Sequence, residues 1–270
     1  MDDKEYIEIL KENNFDEYVK ILCSCGELQM LYNNKNITIE NIKYQNFQSL
    51  HLACQNGHIG VVKYICEDFK LSYEDIRCCD NLALKAACVN NRFYVVKYLC
   101  ENKIFNFTKD DIISDNNYIL KCICDSGFID ILKYLHTKYV YTIDDIKTNN
   151  YYSLTRACAF GNYYILSFLH ETFKFNLKDI LINNNYILKT SCENGHLSII
   201  SYLCNIFTIP EQYIYIPLKK AYSNNHYKLS NFLCDLYKLK ITFDNTNNII
   251  IKHNYNCIKI ENFLSVFNFY

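Results

Sequence analysis

Tryptophan is absent from the sequence, and proline, arginine and glycine are scarce, at 2, 3 and 6 residues of 270. These residues have G/C-rich codons, whereas the abundant Ile, Asn, Lys, Tyr and Phe have A/T-rich ones, so the skew reads as an A/T-rich genome. On that account the 25 tyrosines weigh less as a binding surface than their number suggests. No apolar run approaches the roughly 18 residues that would cross a bilayer, which argues against a membrane span. No excess of Lys and Arg is present either: the formal net charge is -1, which gives no general attraction to nucleic acid. The acidic start MDDKEYIEIL has no apolar core of a signal peptide, so the expected location is cytoplasmic. With 50% apolar and 21% charged residues, the chain folds rather than remaining disordered.

What the sequence does contain is a repeat. LHLACQNGHIGVVKYIC (50–66), LKAACVNNRFYVVKYLC (84–100), LKCICDSGFIDILKYLH (120–136), LTRACAFGNYYILSFLH (154–170), LKTSCENGHLSIISYLC (188–204) and LKKAYSNNHYKLSNFLC (218–234) align along their whole length. Their fifth position is Cys54, Cys88, Cys124, Cys158, Cys192 and Tyr222, at steps of 34, 36, 34, 34 and 30 residues. Ile42, Ile76, Ile112, Ile146 and Ile180 each precede their cysteine by 12 residues. Within a unit, residues such as Leu84, Ala87 and Cys88 hold the i, i+3, i+4 spacing of one buried helical stripe. Gly57, Gly127, Gly161 and Gly195, or Asn91 and Asn225, then mark a left-handed helix end, and a second apolar helix follows.

The connectors carry Ser72, Thr108 or Thr142 with an Asp three residues on, and Thr38 and Asn176 share the column. That is a capping box with Asp in place of Glu or Gln, predicting a short helical turn with the isoleucine tucked against the stack. Such a helix pair leaves apolar edges on both sides, so each copy must be covered by its neighbours. The expected fold is an elongated, all-α helical-repeat solenoid of six units over residues 36–246. Residues 1–35 are expected to be degenerate capping helices lacking the Cys/Gly signature, and residues 247–270 a degenerate capping helix pair, in which Glu261-Asn262-Phe263-Leu264 echoes Ser230-Asn231-Phe232-Leu233. The sixth unit is 4 residues short and has Pro210 and Pro217 in its connector, so irregular docking is expected there.

Leu50-His51, Ala53 and Gly57-His58 in SLHLACQNGHIGVVKYI resemble the ankyrin repeat motif TPLHxAA with its GH turn. The resemblance spans about residues 36–234. Departures are the missing Thr-Pro pair, the lone His51, and the T-x-D-D-I turn in place of the usual connector. That connector, with NNYIL after it, is similar to divergent ankyrin proteins of giant DNA viruses of amoebae. The family resemblance implies protein–protein binding without catalysis.

Fifteen cysteines raise the question of chemistry. Stacked helices lie about 8–10 Å apart, whereas a disulfide needs Cα atoms about 4.4–6.8 Å apart, so column cysteines do not bridge. They read as small buried hydrophobes in a reducing compartment. Cys23-x-Cys25, Cys78-Cys79 and Cys122-x-Cys124 lack the spacing of zinc ligands. The histidines recur in repeat columns rather than as a singular cluster, and no phosphate-loop, dinucleotide or zinc-protease motif occurs. The expectation is therefore no enzyme, no cofactor and no metal.

Residues that vary beside fixed neighbours are the candidate binding positions. By the resemblance, Gln55, Asn56, Val89, Asn90, Asp125, Ser126, Ala159, Phe160, Glu193, Asn194, Ser223 and Asn224 face a concave groove. A row of Lys85, Lys121, Arg156, Lys189, Lys219 and Lys220 forms either a solvated face or a stripe for an acidic protein segment. The expected partner of this monomeric scaffold is a protein, a host factor if the chain is viral. The alternative is an adaptor that recruits a ubiquitin ligase through its C-terminus.

Overall fold

Each first helix ends in the same hydrogen-bonded turn. The computed structural model describes residues 9–258 apart from 245, 247, 254 and 255. At each turn one residue is left-handed, with φ of 84° at Gly57, 58° at Asn91, 78° at Gly127, 73° at Gly161, 74° at Gly195 and 63° at Asn225. The next amide then reaches five residues back: His58 N to Ala53 O at 3.0 Å, Arg92 to Ala87 at 2.8 Å, Asn162 to Ala157 at 2.9 Å, His196 to Ser191 at 2.9 Å. This is the six-to-one bond of a Schellman cap, and it satisfies carbonyls that the helix leaves open.

The N-terminal pair, Phe15–Cys25 and Leu28–Asn33, uses the same device. Gly26 has φ 81°, Glu27 N bonds Leu22 O at 2.9 Å, and Cys23 is fully buried three residues before the glycine. That is the Cys/Gly spacing of the later copies, contrary to the expectation of a cap without it. The signature escapes notice because Cys23 stands 31 rather than 34 residues before Cys54.

The connectors fold as the capping boxes require. The Ser72 amide donates to Asp75 Oδ2 at 2.9 Å and Asp75 N to Ser72 Oγ at 3.2 Å; Thr142 and Asp145 do the same at 2.6 and 3.3 Å. Asn176 pairs likewise with Asp179, and Thr108 N donates to Asp111 Oδ2 at 2.7 Å. Ile42, Ile76, Ile112, Ile146 and Ile180 are all buried.

Between that turn and the first helix proper lies a feature the repeat pattern does not announce. Three successive residues are left-handed in each of five copies: 45–47, 79–81, 115–117, 149–151 and 183–185. They interrupt Ile39–Asn56, Cys78–Val89, Lys109–Ser126, Ile143–Ala159 and Ile182–Glu193. A left-handed residue with a Cβ costs about 1–2 kcal/mol, least for Asn and Asp. Nine of these fifteen positions are Asn and two are Asp. Composition alone does not explain that placement, because the asparagines stand where the backbone needs them. The sixth copy, shorter by 4 residues, replaces the connector with a 3-10 turn Glu211–Tyr213, and Pro217 falls in the first turn of the helix Tyr215–Ser223, where its missing amide is harmless.

The chain forms two compact units, residues 1–123 with 128–140 and residues 124–127 with 141–270. In each, Leu and Cys columns fill the interior. Leu50, Leu84 and Leu120 in the first unit and Leu154, Leu188 and Leu218 in the second are 0% exposed. Burial of such a leucine contributes about 1.5–3 kcal/mol. Second helices carry aromatic residues that tie neighbouring copies. Tyr98 OH donates to Glu67 Oε1 at 3.1 Å, His170 Nδ1 meets Tyr202 OH at 2.9 Å, and Tyr237 OH donates to Ile209 O at 3.1 Å.

The class is the expected all-α stack of helical repeats, but its C-terminal end differs from expectation. The last helix among the described residues ends at Tyr237, and Leu239–Phe243, Ile249–His253 and Asn256–Ile258 form an antiparallel sheet in the order β1-β2-β3. The β-branched run Ile249-Ile250-Ile251 favours a strand over the helix expected there. The Asp244 carboxylate accepts from Thr246 N at 2.8 Å and Asn248 N at 2.9 Å, which closes the hairpin loop. The Glu261–Leu264 segment that suggested a helical echo lies outside the described residues.

Two outcomes follow from this architecture. Asn116, exposed with φ 53°, should tolerate Gly, whereas Asn116→Val should cost roughly 1–2 kcal/mol more in denaturant unfolding. Equal stability of the two variants would contradict the left-handed turn. The second concerns His51, 7% exposed, whose Nε2 finds no hydrogen-bond partner and whose pKa burial pulls down to about 4. The unfolded chain binds a proton near pH 6.5 that the folded chain refuses until about pH 4, so stability falls as pH drops through that window. The expected slope is about 1.4 kcal/mol per pH unit, and His51→Gln should remove it.

Candidate functional site

The face built by the first helices collects most of the variable positions, and the repeat register explains their contacts. The residue after the left-handed turn reaches back to the end of the preceding first helix. His58 Nε2 donates to Ser24 O at 2.9 Å, Arg92 Nε to Gln55 O at 2.8 Å, and Asn162 Nδ2 to Cys124 O at 2.7 Å. His196 and His226 reach Ala159 O and Glu193 O at 2.8 and 2.9 Å. Glycine is needed beneath these side chains as well as for its φ: a Cβ on Gly161 would meet His196 Nδ1 at 2.5 Å.

A second amide row lies beside the first. Asn56 Nδ2 donates to Ser24 O, Asn194 to Ala159 O and Asn224 to Glu193 O, each at 2.8 Å, while Asn90 bonds Ala86 O in its own helix. Three of these four expected binding residues therefore have amides engaged in holding the stack, and Asn90 bonds only its own helix. Ser126 takes the same column and is exposed. The sixth member is Phe160, which can make no such bond and is 49% exposed. Its place in an amide column makes it the odd residue of the array.

Three members of the basic row, Lys85, Arg156 and Lys220, pair with described acids. Lys85 is buried in the first unit against Asp80 at 2.6 Å and Asp115 at 3.8 Å, so it presents no free charge. Lys121 is half-buried, as is Val89, while Gln55 and Ser223 are exposed. In the second unit Arg156 grips Asp125 with two bonds, Nε to Oδ1 at 2.7 Å and Nη2 to Oδ2 at 2.9 Å. The same guanidinium stacks 4.4 Å from the Phe160 ring centroid and 5.6 Å from that of Tyr152. Its pKa is raised, first by the hydrogen bond to Asp125. Two repeats further on, Lys220 Nζ sits 2.9 Å from Glu193 Oε1. Lys189 is half-buried and its pKa is lowered, by burial first and then by Lys220.

Sequence reasoning missed the aromatic residues that head these helices. Tyr152 and Tyr186, 39% and 51% exposed, precede Arg156 and Lys189 by four and three residues and so share their stripe. In the first unit Leu82 and Tyr118 hold the same column and are exposed. The usable signal was position, two residues before the column leucine, and it was discounted with the tyrosines as a whole.

Burial governs the cysteines. Cys54, Cys88, Cys158 and Cys192 are fully buried and their thiols are pushed far up, while Cys66 and Cys100 are pushed up to about 12 and 11. Thiols so shifted stay protonated at neutral pH and are poor nucleophiles and ligands. Cysteines with described side chains are unbridged, and among the described residues no three His, Cys, Asp or Glu side chains gather as a metal would require. No helix among the described residues is long and apolar enough to cross a membrane.

The family model for ankyrin repeats matches residues 9–111, in three copies. The match starts well before the first unit marked by the Cys54 register and takes in the helix pair built around Gly26. A comparison with curated proteins finds no match. Ankyrin repeats generally mediate protein–protein interaction and are typically non-catalytic.

The burial pattern sets an order of thiol reactivity. Iodoacetamide should label the exposed Cys25 and Cys79 well before Cys54, Cys88, Cys124, Cys158 and Cys192 under native conditions. Site-resolved mass spectrometry showing a column cysteine labelled first would contradict the packing described.

Proposed function

We propose that this chain is a non-catalytic scaffold that binds a partner protein on the first-helix face of its second unit. Phe160 carries the reading. An exposed aromatic ring in a column otherwise given to amides and a serine gives up an inter-repeat hydrogen bond, and an interface that uses the ring accounts for keeping it. Around it stand Tyr152, Arg156 and Tyr186, the residue types enriched where protein interfaces concentrate their energy. The Asp125 bonds and ring stacking hold Arg156 in place, so a partner would order little on this side. Removal of the buried thiols from neutral-pH chemistry supports a non-catalytic role.

The similarity of the connector to ankyrin proteins of giant DNA viruses, with the A/T-type composition, supports a viral origin and a host protein as the partner. Nothing in the described residues favours the ligase-adaptor reading: its recruiting segment was placed in 247–270, and the described part of that segment is sheet.

The test uses the column itself. Phe160→Asn installs the residue found at positions 56, 90, 194 and 224, so the variant should fold with wild-type stability or better. In affinity capture from transfected eukaryotic cells with quantitative mass spectrometry, it should lose the specific partner by tenfold or more. An unchanged captured set with the fold intact would overturn the assignment of this face.

A further inference from the structure

The second unit repeats one ionic rung and omits it once. The residue two places after the buried leucine of one first helix pairs with the residue just after the column cysteine in the preceding one: Arg156 with Asp125, and Lys220 with Glu193. Between them, the same rung is Thr190 with Ala159 and carries no charge. The side chain beside Thr190 is Lys189. Among the described residues no carboxylate lies within 4.0 Å of its ammonium, and Glu193, one helical turn on, is taken by Lys220 at 2.9 Å. Among the described residues the acids paired with the cations Arg156, Lys189, Lys219 and Lys220 are two, Asp125 with Arg156 and Glu193 with Lys220. The stripe is thus positive in excess, although the chain is not.

From this charge pattern, and resting on the first-helix face being the binding surface, we propose that the partner segment is an acidic–apolar peptide, with a carboxylate on Lys189 and an apolar side chain on Phe160. A half-buried ammonium short of water and beside Lys220 gains from an arriving carboxylate more than a fully solvated lysine would. The apolar component follows from Phe160, with Tyr186 on the helix of Lys189 and Ala159 and Thr190 at the neutral rung. A phosphate backbone would meet the same cations, but it would also run along Asp125 and Glu193, whose charges oppose it. The protein segment is the better complement, since its carboxylate can be placed singly.

A phage-displayed random peptide library panned against the full chain provides the test, with Phe160→Asn, Lys189→Gln and Lys189→Glu panned in parallel after circular dichroism shows native helicity. Wild type should enrich peptides with Asp or Glu within a few residues of an aromatic or aliphatic side chain. Lys189→Glu should turn that preference to Lys or Arg, and Lys189→Gln should weaken a selected peptide ~5–10-fold in fluorescence polarisation. Neutral or basic peptides, or affinity indifferent to Lys189→Gln, would sink the acidic assignment while loss of binding in Phe160→Asn leaves the face in place. Failure of wild type to enrich anything beyond Phe160→Asn would remove the face as well. Binding of a single-stranded oligonucleotide that Lys189→Gln weakens as much as it weakens the peptide would overturn the peptide as the occupant.

Discussion

The end of each first helix is the point on which the stack depends. A helix leaves its last carbonyls without partners, and here they lie at the junction between copies, where water is partly excluded. The chain meets them twice: from within, by the left-handed turn and the amide five residues on, and from the next copy, by His58, Arg92, Asn162, His196 or His226. The second set couples local to long-range order, because a helix end is completed only when its neighbour docks. That coupling is why a unit with two apolar edges does not behave as an isolated helix pair.

The same coupling separates glycine from asparagine at the turn. Gly26, Gly57, Gly127, Gly161 and Gly195 each lie under the polar side chain that comes back from the following copy, and a Cβ would collide with it. Asn91 and Asn225 hold the left-handed conformation where no such side chain returns: Phe128 follows in one case, and in the other the sheet from Leu239 follows the helix pair. The scarcity of glycine is therefore consistent with its use, since it is kept where both the dihedral angle and the close approach demand it.

The proposed binding surface and the scaffold share columns, and this makes single departures informative. Amides at positions 56, 194 and 224 tie copies together, so their variation from the consensus motif reflects packing as much as recognition. Phe160 and Lys189 stand out because they take no part in those ties. The ionic rungs on either side hold Arg156 and Lys220 in set positions, and the rung between them is neutral; in the proposed complex that is where a partner's groups would sit.

By itself the sequence determined the repeat, the buried Leu, Cys and Ile columns, the capping boxes and the left-handed helix ends, because each rests on interactions within about five residues or on a period the chain repeats. It also placed Phe160 and Lys189 among the candidates. Its 25 tyrosines and many asparagines read as genome bias, and only the backbone showed asparagines at successive left-handed positions and Tyr152 and Tyr186 at the exposed helix heads. The strands after Tyr237 were missed because the motif echo pointed to a helix, whereas local β-branching and the Asp244 loop chose a hairpin. Which cations are free was likewise a tertiary decision. Lys85, Arg156 and Lys220 find acids brought near by the turn or the neighbouring repeat, and Lys189 finds none among the described residues, because pairing depends on the side chain that stacking places opposite.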